Sequence, residues 1–386
     1  MPRVLSMVPS ATTVALAGFL SLAVAMGIGR FAFTPILPMM QSGAGLSLAS
    51  GAWLASANYV GYLVGALSAI GLRLGAAGAI RAGLLTIALT TLAMGFTENF
   101  ALWVFLRVLA GVASAWVLVF VSAWCLNALS RLGRPGHAGV VFAGVGFGIA
   151  CAGVLCVFLV ETDAPWEDAW IALGLAALAA TAVLWRVLAR ASTGAPSSAI
   201  RAEMPGQWLL VLAYAAFGFG YSVPATFIPA LAKQQLADPV LFAWFWPLFG
   251  LAASASTVVT AAIGLNAAPG RRVWLGAQLL MAVSASLPMI LPGLAGIGLS
   301  ALGVGGTFMV MTMTGLRVAR ESAGANAPRL MAAMTAGFAT GQIAGPVVVG
   351  VTDGFMPALL AASVVLAVGA LALTPSREPG GARGVA

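Results

Sequence analysis

The chain has 386 residues, of which 61% are hydrophobic and only 7% charged, with a net charge of +8. Its charges fall in short clusters between apolar runs of about 20 residues, the length that crosses a hydrocarbon core of ~30 Å as a helix. That pattern excludes a soluble globular domain. It also excludes a β-barrel, whose strands would alternate in polarity over ~10 residues.

The runs centre near residues 11–36, 48–70, 79–97, 100–126, 138–160, 167–188, 207–230, 240–263, 272–291, 293–316, 330–351 and 355–374. They predict an all-α polytopic membrane protein of about twelve transmembrane helices. The first run begins after Arg3 and contains Ala23-Val24-Ala25, which imitates a secretory signal with its cleavage site. It continues unbroken to Pro38, so it reads as a retained span.

Orientation follows from the arginines. With the N-terminus cytoplasmic, one side collects Arg73, Arg81, Arg131, Arg134, Arg186, Arg190, Arg201, Arg271, Arg272, Arg317, Arg320 and Arg329. The tails add Arg3, Arg377 and Arg383 to the same side. The other side receives Glu98, Glu161, Asp163, Glu167, Asp168, Asp238 and Asp353, with Lys233 its one clear cation. Short basic loops stay in the cytoplasm, so both termini are expected there. The positive charge is thus a topology signal, and no nucleic-acid partner is expected.

The chain also repeats itself. Gly27-Ile28-Gly29-Arg30-Phe31-Ala32-Phe33-Thr34-Pro35-Ile36-Leu37-Pro38 aligns with Gly218-Phe219-Gly220-Tyr221-Ser222-Val223-Pro224-Ala225-Thr226-Phe227-Ile228-Pro229. Trp53 matches Trp244 at the same offset, and Ala143-Gly144, Gly148 and Val154 match Ala336-Gly337, Gly341 and Val347 two residues further on. Two six-helix halves are expected, 1–188 and 207–386, joined by a Gly/Pro/Ser/Arg-rich cytoplasmic linker at 189–206.

This layout resembles the major facilitator superfamily. The first-helix string from Gly27 to Pro38, with Asn58-Tyr59-Val60-Gly61-Tyr62 in helix two, is similar to the bacterial YbfB/YjiJ-like branch. Arg107-Val108-Leu109-Ala110-Gly111 in helix four resembles the superfamily's R-x-x-x-G motif. The resemblance covers nearly the whole chain and implies a multi-pass transporter of a bacterial inner membrane, monomeric and not an enzyme. It also implies that helices one, four, seven and ten line a central cavity. Two departures stand out: Gly75 occupies the place of the gating Asp between Gly71 and Gly78, and the loop from Gly264 to Arg272 is a shortened remnant without an acid.

Ionisable groups inside a membrane are costly and point to function. Arg30 and Arg107 are the two here, both expected on cavity helices. Arg107, Gly111, Ser114, Ser122 and Cys125 fall on one stripe at 100° per residue. A guanidinium keeps its proton and its planar fork suits carboxylate, so an anionic small-molecule substrate is expected. The competing structural roles are snorkelling of Arg30 to the interface and bonding of helix-end carbonyls by Arg107. Asn58, Tyr221, Tyr59 and Thr34 complete the expected substrate site; Tyr62, Tyr214, Thr307, Thr314 and Gln342 are weaker candidates. No acid lies at mid-membrane, which disfavours cationic cargo. Glu98, at a span end, is the candidate for proton coupling; uniport or exchange would need none.

The remaining motifs are read as packing. Glycine rows at Gly61/Gly65, Gly144/Gly148 and Gly337/Gly341/Gly345 let helix backbones approach, while Pro35, Pro38, Pro224 and Pro229 kink helix ends. Cys125, Cys151 and Cys156 form no disulfide or metal pattern, and no glycine loop has a nucleotide-binding context, so no cofactor or metal is expected. Two further readings remain open: export of neutral or amphipathic compounds over a lining of Phe31, Phe33, Tyr59, Phe217, Phe219, Tyr221 and Trp244, and a non-transporting sensor, disfavoured because no segment is long enough for an output domain.

Overall fold

The structure is a computed structural model and describes residues 9–72, 74–189, 191, 207–235, 244–265, 268–291, 293–351 and 355–374. The expected linker from residue 192 onward and the charges Arg3, Arg73, Arg190, Arg201, Asp238, Asp353, Arg377 and Arg383 lie outside the described residues, as does the side chain of Lys233.

Every regular element among the described residues is a helix. In chain order the long helices are α1 (Ala11–Gly43), α2 (Leu48–Gly71), α3 (Ala76–Met94), α4 (Phe100–Arg131), α5 (Ala138–Glu161), α6 (Trp166–Leu188), α7 (Trp208–Gln235), α8 (Phe245–Ala262), α9 (Gly270–Ile290), α10 (Leu294–Ala323), α11 (Ala327–Val351) and α12 (Phe355–Leu371). Among the described residues, ten stretches are long and apolar enough to cross a membrane. α10 and α11 count there as one stretch, joined by a short turn of 3₁₀ helix (Gly324–Asn326).

Local chemistry sets the helix starts. The side chains of Ser10, Ser47 and Asn99 accept the main-chain N–H of Thr13, Ser50 and Leu102 at 3.1, 3.0 and 3.0 Å, capping α1, α2 and α4. Several helices outrun the apolar runs that announce them, α4 continuing to Arg131 and α10 to Ala323. A helix does not stop at the hydrocarbon edge, since its polar last turn is stable in water.

Glycine decides which helices meet. A methyl group on Gly144 or Gly148 would overlap the carbonyl of Phe19 or Ala23, so α5 lies backbone against backbone on α1. The repeat does the same: a methyl on Gly341 would overlap the Ala215 carbonyl, and one on Gly218 that of Phe338, fixing α11 on α7. Gly61 and Gly65 seat α2 on Val108 and Val112 of α4. α5 and α8 touch mainly through main chain, Gly146 against Gly250 O and Ser254 N, and Gly250 against Ala150 N. α2 packs on α11. These small-residue contacts supply dispersion and close approach where lipid supplies no hydrophobic drive.

The face of α4 expected to line a cavity is instead a packing face. Gly111 meets the main chain of Asn58 and Tyr62, Ser114 Oγ lies 2.8 Å from Ala25 O, and Cys125 Sγ lies 3.7 Å from Val14 O. Small residues on one stripe serve close packing as readily as a water-filled space. Cys125 and Cys156 are buried and Cys151 exposed, all three as free thiols.

Gly144→Ala should therefore push α1 from α5 and destabilise the protein by about 1–3 kcal/mol. Gly276→Ala, where a methyl meets nothing within 4 Å, should be neutral or stabilising by up to ~1 kcal/mol. Thermal unfolding of the two purified variants compares them.

Candidate functional site

The site is built around an irregularity in α1. Residues Ala23–Phe31 wind as a π-helix between α-helical segments. Such a wide turn displaces carbonyls from their usual acceptor positions and is frequent at functional sites. Gly27 and Gly29 permit it. A side chain on Gly27 would strike the main chain of Gly148, and one on Gly29 would come within 2.8 Å of Ser114 Oγ and 2.9 Å of Ile87.

Side chains from neighbouring helices meet the displaced carbonyls. Asn58 Nδ2, on α2, donates to Gly29 O at 3.3 Å and to Arg107 O at 3.1 Å. Arg107 lies with its guanidinium over the Phe33 ring and is 3% exposed. It donates from Nη1 to Gly29 O at 3.4 Å and from Nη2 to Arg30 O at 3.3 Å. Arg107 and Asn58 thus hold main chain, and through it the start of the Arg30 side chain.

Arg30 does not snorkel. It is 3% exposed and points inward, with its Cζ 3.7 Å from the centre of the Tyr62 ring. The rings of Phe31, Phe338 and Tyr59 stand at 5.5, 5.7 and 5.7 Å. Its Nη2 donates to Oε1 of Gln342 on α11. By hydrogen-bond geometry Nε and Nη1, like Arg107 Nε, have no acceptor among the described residues, although the Tyr62 hydroxyl stands close enough to interact with the Arg30 guanidinium, and no carboxylate among the described residues pairs with either arginine. A guanidinium boxed by rings gains cation–π attraction of up to ~2 kcal/mol per favourable face, but the rings accept no in-plane hydrogen bond.

An aromatic wall completes the enclosure. Tyr221 of α7 stacks on Phe308 of α10 at 4.2 Å and 14°. Phe31 meets Phe308 edge-on at 5.8 Å, and Phe338 lies between Arg30 and Tyr221, 6.1 Å from the tyrosine ring. Next to this wall, Tyr62, Tyr214, Phe308 and Phe338 line a cavity of only about 10 Å³ together with Met26, Leu118, Val145, Met309 and Thr312, roughly the space of one water. Anything larger needs the rings to part.

The other expected residues divide. Tyr59 is half-buried beside Arg30. Thr34 is exposed and stands outside the group, as does Trp244; the buried indole is Trp246, stacked on Phe249 at 5.4 Å. Thr307 and Thr314 turn their hydroxyls to their own helix, to Gly303 O and Val310 O at 2.7 Å each. Glu98 is exposed in the loop between α3 and α4. Phe308 and Phe338 were not foreseen; the glycine row beside Phe338, at Gly337 and Gly341, was the only local sign of a crossing there.

Residues 22–374 match the family described as "Uncharacterised MFS-type transporter YbfB". No curated protein sequence matches the chain. Its fold is similar to that of the human organic anion transporter MFSD10 (TETRAN), at a TM-score of 0.74 and 16% identity over 95% of this chain and 100% of that one. It is also similar to the transporter FucP in its outward conformation, at a TM-score of 0.69 and 14% identity over 94% and 98% of the two chains.

Removing the Arg107 side chain strands the Arg30 carbonyl and leaves Gly29 O to Asn58 alone, so Arg107→Leu should cost about 1–3 kcal/mol. Because Asn58 serves the same Gly29 carbonyl, Arg107→Leu and Asn58→Leu should combine non-additively, with a coupling of roughly 0.5–3 kcal/mol. A double-mutant cycle on thermal unfolding measures it.

Proposed function

We propose that this chain, which belongs to the YbfB family of MFS-type transporters and is therefore a multi-pass membrane transporter, carries a small organic anion. The transport would proceed by alternating access between two six-helix halves, residues 1–188 and 207–386. The observation that carries the anion reading is the Arg30 guanidinium, buried with Nε and Nη1 lacking acceptors and no carboxylate beside it among the described residues. In a low-dielectric centre such a charge calls for an anion. The human organic anion transporter of similar fold is a precedent for such cargo on this architecture.

Arg30 on α1 bonds Gln342 on α11 through Nη2, a link between the two proposed halves. Nη2 carries one N–H on each fork of the guanidinium, so a carboxylate that binds in bidentate fashion takes the fork that Gln342 leaves open. The glycine contacts between α5 and α8 let the halves turn without side chains catching. Since no Asp or Glu is buried among the described residues, uniport or anion exchange is the simplest coupling, with Glu98 exposed at the margin.

The aromatic centre supports a second reading, export of neutral or amphipathic compounds. A thermal-stability screen of wild type beside Arg30→Ala separates the two. A true ligand at a hundredfold excess over Kd stabilises by about 2.7 kcal/mol. Carboxylates should stabilise wild type and lose that effect in Arg30→Ala, with Arg30→Lys recovering part of it. Equal stabilisation of all three by neutral compounds would turn the assignment to export.

The spans are read as twelve in a bacterial inner membrane with both termini cytoplasmic. Alkaline phosphatase fused after Glu161 should be active, and the same enzyme fused after Arg131 inactive; the reverse pattern would invert the topology.

A further inference from the structure

The anion reading leaves the rest of the cargo open, and the surroundings of Arg30 restrict it. Charge is the first restriction. Arg107 gives Nη1 and Nη2 to the carbonyls of Gly29 and Arg30, with Nε its one nitrogen without an acceptor. Among the described residues the other buried arginine, Arg317, is engaged elsewhere, with Ala268 O at 2.5 Å and Glu321 at 3.4 Å. Arg30 is thus the guanidinium with the most donors open to cargo. A second carboxylate on the cargo would sit among rings without a counter-charge, and burial of an unpaired charge is strongly unfavourable.

Shape is the second restriction. The side chains beside Arg30 that a carboxylate's substituent would meet include several rings: Tyr62 at 3.7 Å from the guanidinium carbon, Phe338 bridging toward Tyr221, and Phe308 near-parallel to Tyr221 at 4.2 Å, with Met26, Leu118, Val145 and Met309 on the adjoining cavity wall. With a residual cavity of about 10 Å³, cargo enters by separating rings that already stack. A planar aromatic body replaces each lost ring contact with another of the same kind. A saturated body of equal size replaces none of the stacking.

Building on the anion reading, we infer that the cargo is an aromatic monocarboxylate, its carboxylate on Arg30 and its ring against Phe308, Phe338 and Tyr221. The site is then divided by chemistry: α1 supplies the cation, while α7, α10 and α11 supply the ring surfaces.

The probes are benzoate, cyclohexanecarboxylate, succinate and benzamide, titrated against the purified full-length chain by calorimetry, with thermal shift as a second readout. Benzoate should bind about tenfold more tightly than cyclohexanecarboxylate, with succinate and benzamide weaker than either. Phe308→Leu should bring the benzoate-to-cyclohexanecarboxylate ratio close to one, and Phe338→Leu serves if that variant does not fold. Succinate or cyclohexanecarboxylate binding as tightly as benzoate, and dependent on Arg30, would overturn the aromatic assignment and leave the anion reading standing. Benzamide matching benzoate, or no binding by any carboxylate, would overturn both.

Discussion

Inside a bilayer a backbone carbonyl has no water to fall back on, so a helix that departs from α geometry needs acceptors met by its neighbours. The π segment of α1 is such a departure, and its carbonyls at Ala25, Gly29 and Arg30 are met by Ser114, Asn58 and Arg107. Three side chains from two helices are thereby tied to one stretch of main chain. The place of α1 against α2 and α4, and the direction in which Arg30 leaves the backbone, both follow from that arrangement.

The same arrangement separates two residues of identical chemistry. Arg107 is a scaffold: its charge is spread over carbonyl dipoles and the Phe33 face. Arg30 instead has the Tyr62 ring at 3.7 Å, three further rings within 5.7 Å and an amide oxygen at Nη2. Stability alone would favour satisfying both guanidiniums or replacing both with apolar groups. Retaining Arg30, with two nitrogens lacking an acceptor, at the meeting point of α1, α2 and α11 is a cost for which the proposed binding role would account.

Much of this was legible in the chain itself. Apolar length marks the helices, and glycine periodicity marks α2, α5 and α11 as helices that pack closely, because both depend on local composition, whereas the partners α4, α1 and α7 that those glycines meet are set by the fold. Arg30, Arg107 and Asn58 stand out because charge and amide are rare in apolar runs. What was not legible depends on register. On an unbroken α-helix Thr34, four residues after Arg30, would share its face; the wide turn ending at Phe31 changes that register, and Thr34 is exposed. The committed role of Arg107 depends on carbonyls displaced on another helix, and the wall of Phe308 and Phe338 on residues distant in sequence. No window of local sequence holds either.

The seam between α5 and α8 has a genetic consequence. Where side chains interlock, an enlarged residue on one helix can be relieved by a smaller one opposite. Gly146 and Gly250 face main-chain atoms, which no mutation can trim. An added methyl there has no allele-specific suppressor on the partner helix, and relief must come from distant changes that move an entire helix. Revertants selected from such variants would therefore map away from the contact, to loops and helix ends.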